Sequence, residues 1–161
     1  MAKPRSATPA LRALEAAGVH HRVHEYLHDP RATSYGLEAA AALGVPPARV
    51  FKTLLAADGT SLVVGVVPVD RTLDLKALAT AVGAKRLAMA TPAVAERSTG
   101  MVLGGISPLG QKRPLPTVVD ASAMDHDTVL VSGGRRGLDV ELSPQDLVRL
   151  TGGRLAAIAA G

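Results

Sequence analysis

The 161-residue chain contains no cysteine and no tryptophan, and it has only one phenylalanine and two tyrosines. Without cysteine it cannot form a disulfide, bind a metal through thiolates or use a thiol of its own as a nucleophile. A core with so few rings must be built from alanine, valine, leucine and isoleucine. Phe51, Tyr26 and Tyr35 therefore each call for a specific role.

Long apolar runs are also missing. The N-terminal segment, residues 1–9, is short and polar and shows no signal peptide. No later apolar run is long enough for a membrane span. The lack of cysteine fits a reducing compartment. We therefore expect a cytoplasmic protein.

The overall composition is that of a globular protein, with 47% hydrophobic and 20% charged residues. The length suits one domain, which we predict to occupy residues 1–161. The net charge of +4 favours an anionic partner such as a nucleic acid or a phosphorylated ligand, although charge alone does not identify it.

Helix and strand patterns alternate along the chain. Caps and apolar spacing predict helices at residues 9–17, 34–43, 74–82, 91–96 and 143–150. Alternation and turn residues predict strands at residues 19–27, 50–57, 61–69, 85–90, 117–120, 128–132 and 138–142. Residues 98–110 are predicted to begin as a strand and to break into a glycine-rich loop. The hairpin signal at Asp58 and Gly59 favours an α+β fold with a mixed sheet over a doubly wound parallel sheet.

Lys52 lies inside the predicted strand 50–57, on the same face as Val50 and Leu54. A lysine among apolar residues is costly unless its ammonium reaches water or an anion. One interpretation is a side chain that extends to water at a sheet edge. The other is a cation in a cavity, where it meets a phosphate or a developing oxyanion.

The segment 104–112 begins with Gly104 and Gly105. Two glycines allow the backbone to approach a ligand closely, and their amides can bind an oxyanion or a phosphate. A structural turn is the alternative. The segment is not a phosphate-binding P-loop, because Gln111 stands where that motif requires lysine.

A second glycine-rich turn, at residues 133–137, carries Arg135 and Arg136. Arginines in a turn suit phosphate contacts, although an exposed hairpin tip is the common alternative. In the next strand, Asp139 lies on the face opposite Leu138 and Val140. It is either exposed to solvent or part of a site that holds a substrate amine.

Tyr26 and Tyr35 flank the turn that contains Asp29 and Pro30. They can wall one pocket and stack on an adenine, or they can simply fill the core.

Metal sites and catalytic triads are not supported. The histidines cluster in a predicted strand without a completing carboxylate or thiolate, and Ser107 and Ser132 lack an elbow motif. We therefore predict neither a metal nor a cofactor. The clustered histidines are His20, His21, His24 and His28.

Together these features resemble the bacterial Cys-tRNA(Pro) deacylases of the YbaK type, within the prolyl-tRNA-synthetase-associated editing domains. The resemblance covers nearly the whole chain. It is carried by Tyr-Leu-His-Asp-Pro at 26–30, Val-Phe-Lys-Thr-Leu-Leu at 50–55, Leu-Asp-Leu-Lys at 73–76, Arg-Ser-Thr-Gly at 97–100, residues 104–112, Val-Ser-Gly-Gly at 131–134 and Arg-Gly-Leu-Asp at 136–139.

The resemblance implies a single domain with a curled, barrel-like mixed sheet flanked by helices. It also implies a pocket for the aminoacylated adenosine of tRNA. Lys52 matches the key lysine of the family, and Tyr26, Gly104 and Asp139 match other pocket positions. Tyr35 stands where relatives commonly carry phenylalanine, so a ring is kept and a hydroxyl is added.

The implied site is completed by further assignments. Gly104 and Gly105 supply backbone amides, while Thr53, Ile106 and Ser132 bind substrate together with the two tyrosines and Asp139. The tRNA phosphates are assigned to Lys112, Arg135 and Arg136.

The resemblance further implies that the substrate's own thiol attacks its ester carbonyl and forms a cyclic thiolactone. Such a reaction needs no enzyme nucleophile, so it fits a cysteine-free chain. It implies activity on Cys-tRNA(Pro) or Cys-tRNA(Cys), with the aminoacylated 3′ end of tRNA and prolyl-tRNA synthetase as partners and with no DNA or membrane. The alternatives are an Ala-tRNA(Pro) deacylase, a non-catalytic binder of tRNA ends or nucleotides, and a structural partner of the synthetase.

Overall fold

The computed structural model describes residues 8–161, in which α-helices and β-strands are interspersed. The N-terminal residues 1–7, for which the sequence predicts no signal peptide, lie outside this range. The helices are α1 (Pro9–Ala17), α2 (Tyr35–Leu43), α3 (Leu75–Val82), α4 (Pro92–Thr99) and α5 (Pro144–Thr151). The strands are β1 (Arg22–Glu25), β2 (Phe51–Asp58), β3 (Ser61–Pro68), β4 (Thr72–Leu73), β5 (Ala88–Met89), β6 (Thr117–Asp120), β7 (Val129–Arg135), β8 (Leu138–Leu142), β9 (Arg154–Ala156) and β10 (Ala159–Ala160). The predicted α+β class is confirmed.

All five helices have the same kind of boundaries. Each begins after a serine, threonine or aspartate whose side chain accepts a hydrogen bond from a backbone amide, and each ends at a left-handed glycine. These caps are why the predicted helix positions agree with the structure. Helix α4 continues to Thr99, however, so the strand predicted to start at residue 98 is wrong.

Three sheets organise the described residues. The largest is mixed and has the order β5-β2-β3-β6-β9, with antiparallel pairing of β2 to β3 and parallel pairing of β3 to β6 and of β6 to β9. A second, antiparallel sheet has the order β1-β8-β7, and β4 pairs with β10. A parallel bridge from Val50 to Leu130 connects the first two sheets. Within residues 8–161 none of the sheets closes on itself, so the barrel-like curling expected above is not confirmed.

Several strand boundaries also differ from the predictions. Strand β1 is four residues long instead of nine, because the chain leaves the sheet after Glu25 and Leu27 is 95% exposed. Strand β5 shrinks to two residues. Strand β7 continues through an irregularity after Ser132 to Arg135, so the following turn is shorter than predicted.

The core lies on both faces of the largest sheet and is aliphatic, as the shortage of aromatic residues requires. Phe51 and Leu55 of β2 face one cluster with Leu14 of α1 and Val140 of β8. The other face packs against α3, where Leu78 is fully buried. No helix within residues 8–161 has the length and apolar character that crossing a membrane requires.

Asp120 is a buried carboxylate that holds the C-terminal segment to this core. One of its oxygens accepts hydrogen bonds from the amides of Ile158 and Ala159, both at 2.9 Å, and the other accepts from Ser122. Asp120 therefore ties the C-terminal segment to the end of β6, in addition to the pairing of β9 with β6 and of β10 with β4.

Replacing Asp120 with alanine should lower the free energy of unfolding by about 3 kcal/mol, because the buried amide of Ile158 and the partly buried amide of Ala159 lose their acceptor. Urea denaturation of the purified protein measures this change. The exposed neighbour Asp125 offers a matched control, since Asp125→Ala should leave the midpoint nearly unchanged. Equal midpoints for the two variants would show that Asp120 has no such role.

Candidate active site

A cavity of about 260 Å³ lies where the two larger sheets meet. Its walls come from the start of β2, from β7 and β8, from α2 with the segment before it, and from the loop after α4. Eight of the twelve predicted site residues line it, namely Tyr26, Tyr35, Lys52, Thr53, Gly104, Ile106, Ser132 and Asp139. The fold therefore brings together residues that are more than a hundred positions apart in the sequence.

Lys52 is positioned by the hairpin of β2 and β3, in which it lies opposite Val67. Its side chain is half-buried and lines the cavity, as in the second interpretation above. Burial lowers the pKa of Lys52, and the negative charge of Asp70 partly opposes this effect. No hydrogen bond or ion pair joins its ammonium to another group in residues 8–161, so a cation faces the cavity without a partner there.

Asp139 lies across the antiparallel pair of β7 and β8 from Ser132. It is only 6% exposed, and it faces the cavity rather than the solvent. Burial raises the pKa of Asp139 to about 7. Within the described part of the chain no donor reaches its carboxyl group. Ser132 accepts a hydrogen bond from the amide of Gly134 at 3.1 Å, which leaves its own hydroxyl proton available.

Thr53 adds a third polar group without a partner. The residue is 8% exposed and lines the cavity, and its hydroxyl oxygen has no hydrogen bond within residues 8–161. Buried hydroxyls are almost always paired in folded proteins. The cavity thus combines a cation, a carboxyl group and a hydroxyl, none of which has a hydrogen-bond or ion-pair partner within residues 8–161.

Tyr35 is held against the glycine loop. A Cβ atom at Gly104 would lie 2.7 Å from the Tyr35 ring, and Gly104 has a φ of +83°, so only glycine fits there. The guanidinium of Arg136 lies 4.8 Å from the ring centre, and its Nε donates to the Leu103 carbonyl at 2.7 Å. Arg136 therefore joins the loop to the aromatic wall.

Tyr26 forms the other aromatic part of the wall. Burial, followed by the nearby charges of Asp139 and Glu38, raises the pKa of Tyr26 to about 12. Its phenol therefore stays neutral and able to donate a hydrogen bond at physiological pH.

The amide of Gly105 does not face the site, contrary to the prediction. Its N–H donates to the Val102 carbonyl at 2.8 Å, and Gly105 is not among the residues that line the cavity. A Cβ atom there would lie 2.7 Å from the backbone of Arg135. Gly105 is thus a close-packing residue, and Gly104 is left as the candidate amide.

The three predicted phosphate ligands lie outside the cavity lining. Lys112 is exposed, Arg135 forms an ion pair with Glu25 at 2.9 Å, and Arg136 is engaged with the loop as described. Their contacts with tRNA stay a prediction.

Sequence reasoning missed the remainder of the lining, which is mostly apolar or backbone. Nothing in the sequence pattern separated these residues from ordinary core or loop positions. They are Thr33, Ser34, Gly36, Ala39, Val50, Phe51, Leu54, Val69 and Leu103.

Comparison with known proteins places this site in context. The sequence model of the aminoacyl-tRNA editing domain matches residues 28–150. A protein of Enterococcus faecalis (strain ATCC 700802 / V583), named "Putative Cys-tRNA(Pro)/Cys-tRNA(Cys) deacylase EbsC", is 36% identical over 157 residues, which is 97% of this chain and 95% of that one.

Solved structures of similar proteins also include one described as an editing enzyme. This structure, of a "putative trans-editing enzyme for prolyl tRNA synthetase", superposes with a TM-score of 0.83 at 30% identity, over 97% of this chain and 100% of that chain. Another, of the hypothetical protein APE2540, has a TM-score of 0.82 at 28% identity, over 94% and 99% of the two chains.

The raised pKa of Asp139 makes stability depend on pH. The folded protein keeps a proton on Asp139 up to about pH 7, whereas the unfolded chain loses it near the ordinary value of 3.8. The free energy of unfolding should therefore fall by about 3 kcal/mol between about pH 4 and pH 7, and Asp139→Asn should remove this decrease. Denaturant unfolding at several pH values measures both slopes. With Asp127→Asn as the exposed control, parallel slopes for wild type and Asp139→Asn would contradict the assignment.

Proposed function

Because the chain belongs to the aminoacyl-tRNA editing domain family, we propose that it removes cysteine from mischarged tRNA by cleaving the aminoacyl ester at the 3′ end. The printed name of the Enterococcus faecalis relative supports cysteine as the amino acid, with tRNA(Pro) or tRNA(Cys) as its carrier. The solved relative described as a trans-editing enzyme supports action in trans, with prolyl-tRNA synthetase as the source of the mischarged tRNA.

The observation that carries this proposal is that Lys52 and Asp139 line one cavity and have no polar partner in the described part of the chain. A half-buried cation and a buried carboxyl group are costly when neither is paired, so their presence points to a ligand that pairs both. An aminoacylated adenosine end has a matching ammonium group, an ester carbonyl next to it and, on the other side of the ribose, a phosphate.

In this arrangement the α-ammonium of the amino acid lies against Asp139, with the Ser132 hydroxyl beside it. An approaching ammonium stabilises the charged carboxylate and lowers its pKa from about 7, so binding drives ionisation of Asp139. Binding of the substrate thus gives Asp139 the charged partner that it lacks in the free protein.

The ester carbonyl lies toward Lys52 and the glycine loop. Gly104 lines the cavity, and its amide makes no hydrogen bond within residues 8–161, so it can donate to an oxyanion. Lys52 supplies positive charge to the same oxyanion or to the terminal phosphate, and the gain is larger in a partly dry cavity than in water.

The aromatic wall and Thr53 suit the adenosine. Rings bind bases by stacking, and the neutral Tyr26 phenol and the unpaired Thr53 hydroxyl can exchange hydrogen bonds with ribose or base.

Cleavage then needs orientation rather than an enzyme nucleophile. The thiol sulfur of the bound cysteine attacks its own ester carbonyl carbon, a C–S bond forms, and the C–O bond to the ribose breaks. The thiol proton goes to the departing ribose oxygen, and a cyclic thiolactone is released for hydrolysis by water. Holding sulfur and carbonyl in attack geometry supplies a large effective concentration.

A deacylation screen with Cys-, Ala- and Pro-charged tRNA(Pro) tests the substrate. We expect rapid loss of cysteine, slow loss of alanine, which has no thiol, and no loss of proline. Recovery of a thiolactone as a transient product would support the attack by the substrate thiol. Cleavage of the alanyl ester as fast as the cysteinyl ester would contradict the attack by the substrate thiol and would favour an Ala-tRNA(Pro) deacylase. If all three esters stay intact, the protein is a binding protein.

Lys52→Ala should lower kcat/KM for Cys-tRNA(Pro) by about a hundredfold, since it removes the cation that faces the developing charge. Steady-state deacylation kinetics measure the loss. Lys85→Ala removes an exposed lysine of the same charge and should keep full activity. A near-wild-type rate for Lys52→Ala would rule out the role assigned to this lysine.

A further inference from the structure

Both tyrosines of the cavity wall belong to one segment, residues 26–35, which we call the wall segment. Tyr26 begins it, where its amide donates to the Gly137 carbonyl at 3.0 Å, and Tyr35 ends it at the start of α2. Between them the chain makes little contact with the core, because Leu27 is 95% exposed and residues 29–31 are exposed as well. Something other than apolar packing must therefore hold the middle of the segment.

Glu38 supplies that contact from the first turns of α2. One carboxylate oxygen is 2.9 Å from Nδ1 of His28, and the other accepts a hydrogen bond from the amide of Asp29 at 2.6 Å. Both side chains are largely shielded, with 13% exposure for Glu38 and 21% for His28. Hydrogen bonds to a charged acceptor are stronger than neutral ones, and shielding from solvent preserves them.

Helix α2 gives this carboxylate a fixed base. A Cβ atom at Gly36 would lie 2.3 Å from a methyl group of Val69, so the helix rests directly on the end of the hairpin that carries Lys52. Glu38 therefore connects the wall segment to the hairpin that carries Lys52.

His28 passes this restraint on to the aromatic wall. Its ring centre lies 5.8 Å from that of Tyr35, at an interplanar angle of 41°. The two bonds to Glu38 thus fix the ring beside Tyr35 and the backbone that follows Tyr26.

We propose that Glu38 is a positioning residue, which bonds His28 and Asp29 to hold Tyr26 and Tyr35 in the shape that receives the adenosine of the tRNA end. This role rests on the proposed function for the identity of the ligand, but not for the restraint itself. Glu38 touches no reacting atom in this account. Its loss should weaken substrate binding and leave the chemical step intact once substrate is bound.

The chain offers a direct reporter of the wall. It has no tryptophan, and its two tyrosines are both in the wall segment, so the tyrosine band of the near-ultraviolet circular dichroism spectrum reports their order alone. Glu38→Ala should weaken that band and raise KM for Cys-tRNA(Pro) about tenfold, with kcat little changed. Glu38→Gln keeps one acceptor oxygen and the side-chain shape, so it should restore part of both signals.

Glu15→Ala removes an exposed glutamate from α1 and serves as the matched control, with an unchanged band and unchanged KM. If Glu38→Ala does not fold, His28→Ala removes one of the two bonds and should give the same changes at smaller size. An unaltered tyrosine band and KM in the folded variants would overturn the proposal, as would a loss confined to kcat. If the wild type deacylates no tRNA, the proposed function fails, while the tyrosine band still decides the role of Glu38.

Discussion

Lys52 and Asp139 share one small cavity, and within the described part of the chain neither has a polar partner. Burial disfavours the charged form of both groups, which is why the pKa of the lysine falls and that of the aspartate rises. A protein that keeps such groups in its interior accepts a cost in stability. A bound ligand of complementary charge would offset that cost.

The surrounding structure keeps this cavity open and shaped. The two larger sheets meet at Val50 and Leu130, and their polar residues converge beside that junction. Gly104 lets the Tyr35 ring approach the loop backbone, and Arg136 holds the same loop by its carbonyl. Glu38 restrains the segment that carries Tyr26 and Tyr35. Each contact is local, yet together they define a site from five separate stretches of sequence.

The sequence predicts the helices well because each has a side-chain cap and a terminal glycine, both of which are local signals. It predicts the site less completely. The sequence does not decide whether Lys52 reaches solvent or a cavity, or whether Asp139 faces solvent or a site, because alternation separates the two faces of a strand without showing what covers each face. For Asp139 this is decided by the tertiary structure, which buries the residue and turns it toward the cavity.

Other features were beyond sequence reasoning for physical reasons. The strands β4, β9 and β10 are two or three residues long, too short for any periodicity. Gly105 carries the same glycine signal as Gly104, but its amide is used within the loop, and only the three-dimensional structure shows this. The contact of Glu38 with His28 depends on how the intervening turn folds back, which neither residue type specifies.

In the proposed function, one cavity pairs Asp139 with the α-ammonium, and Lys52 with the ester or phosphate, of an aminoacylated adenosine. A crystal structure with a stable analogue, in which an amide replaces the ester of cysteinyl-adenosine 5′-phosphate, examines this pairing. We expect the ammonium in hydrogen-bond contact with Asp139 and the carbonyl or phosphate turned toward Lys52. An analogue that binds outside this cavity, or that leaves both side chains without a partner, would rule the pairing out.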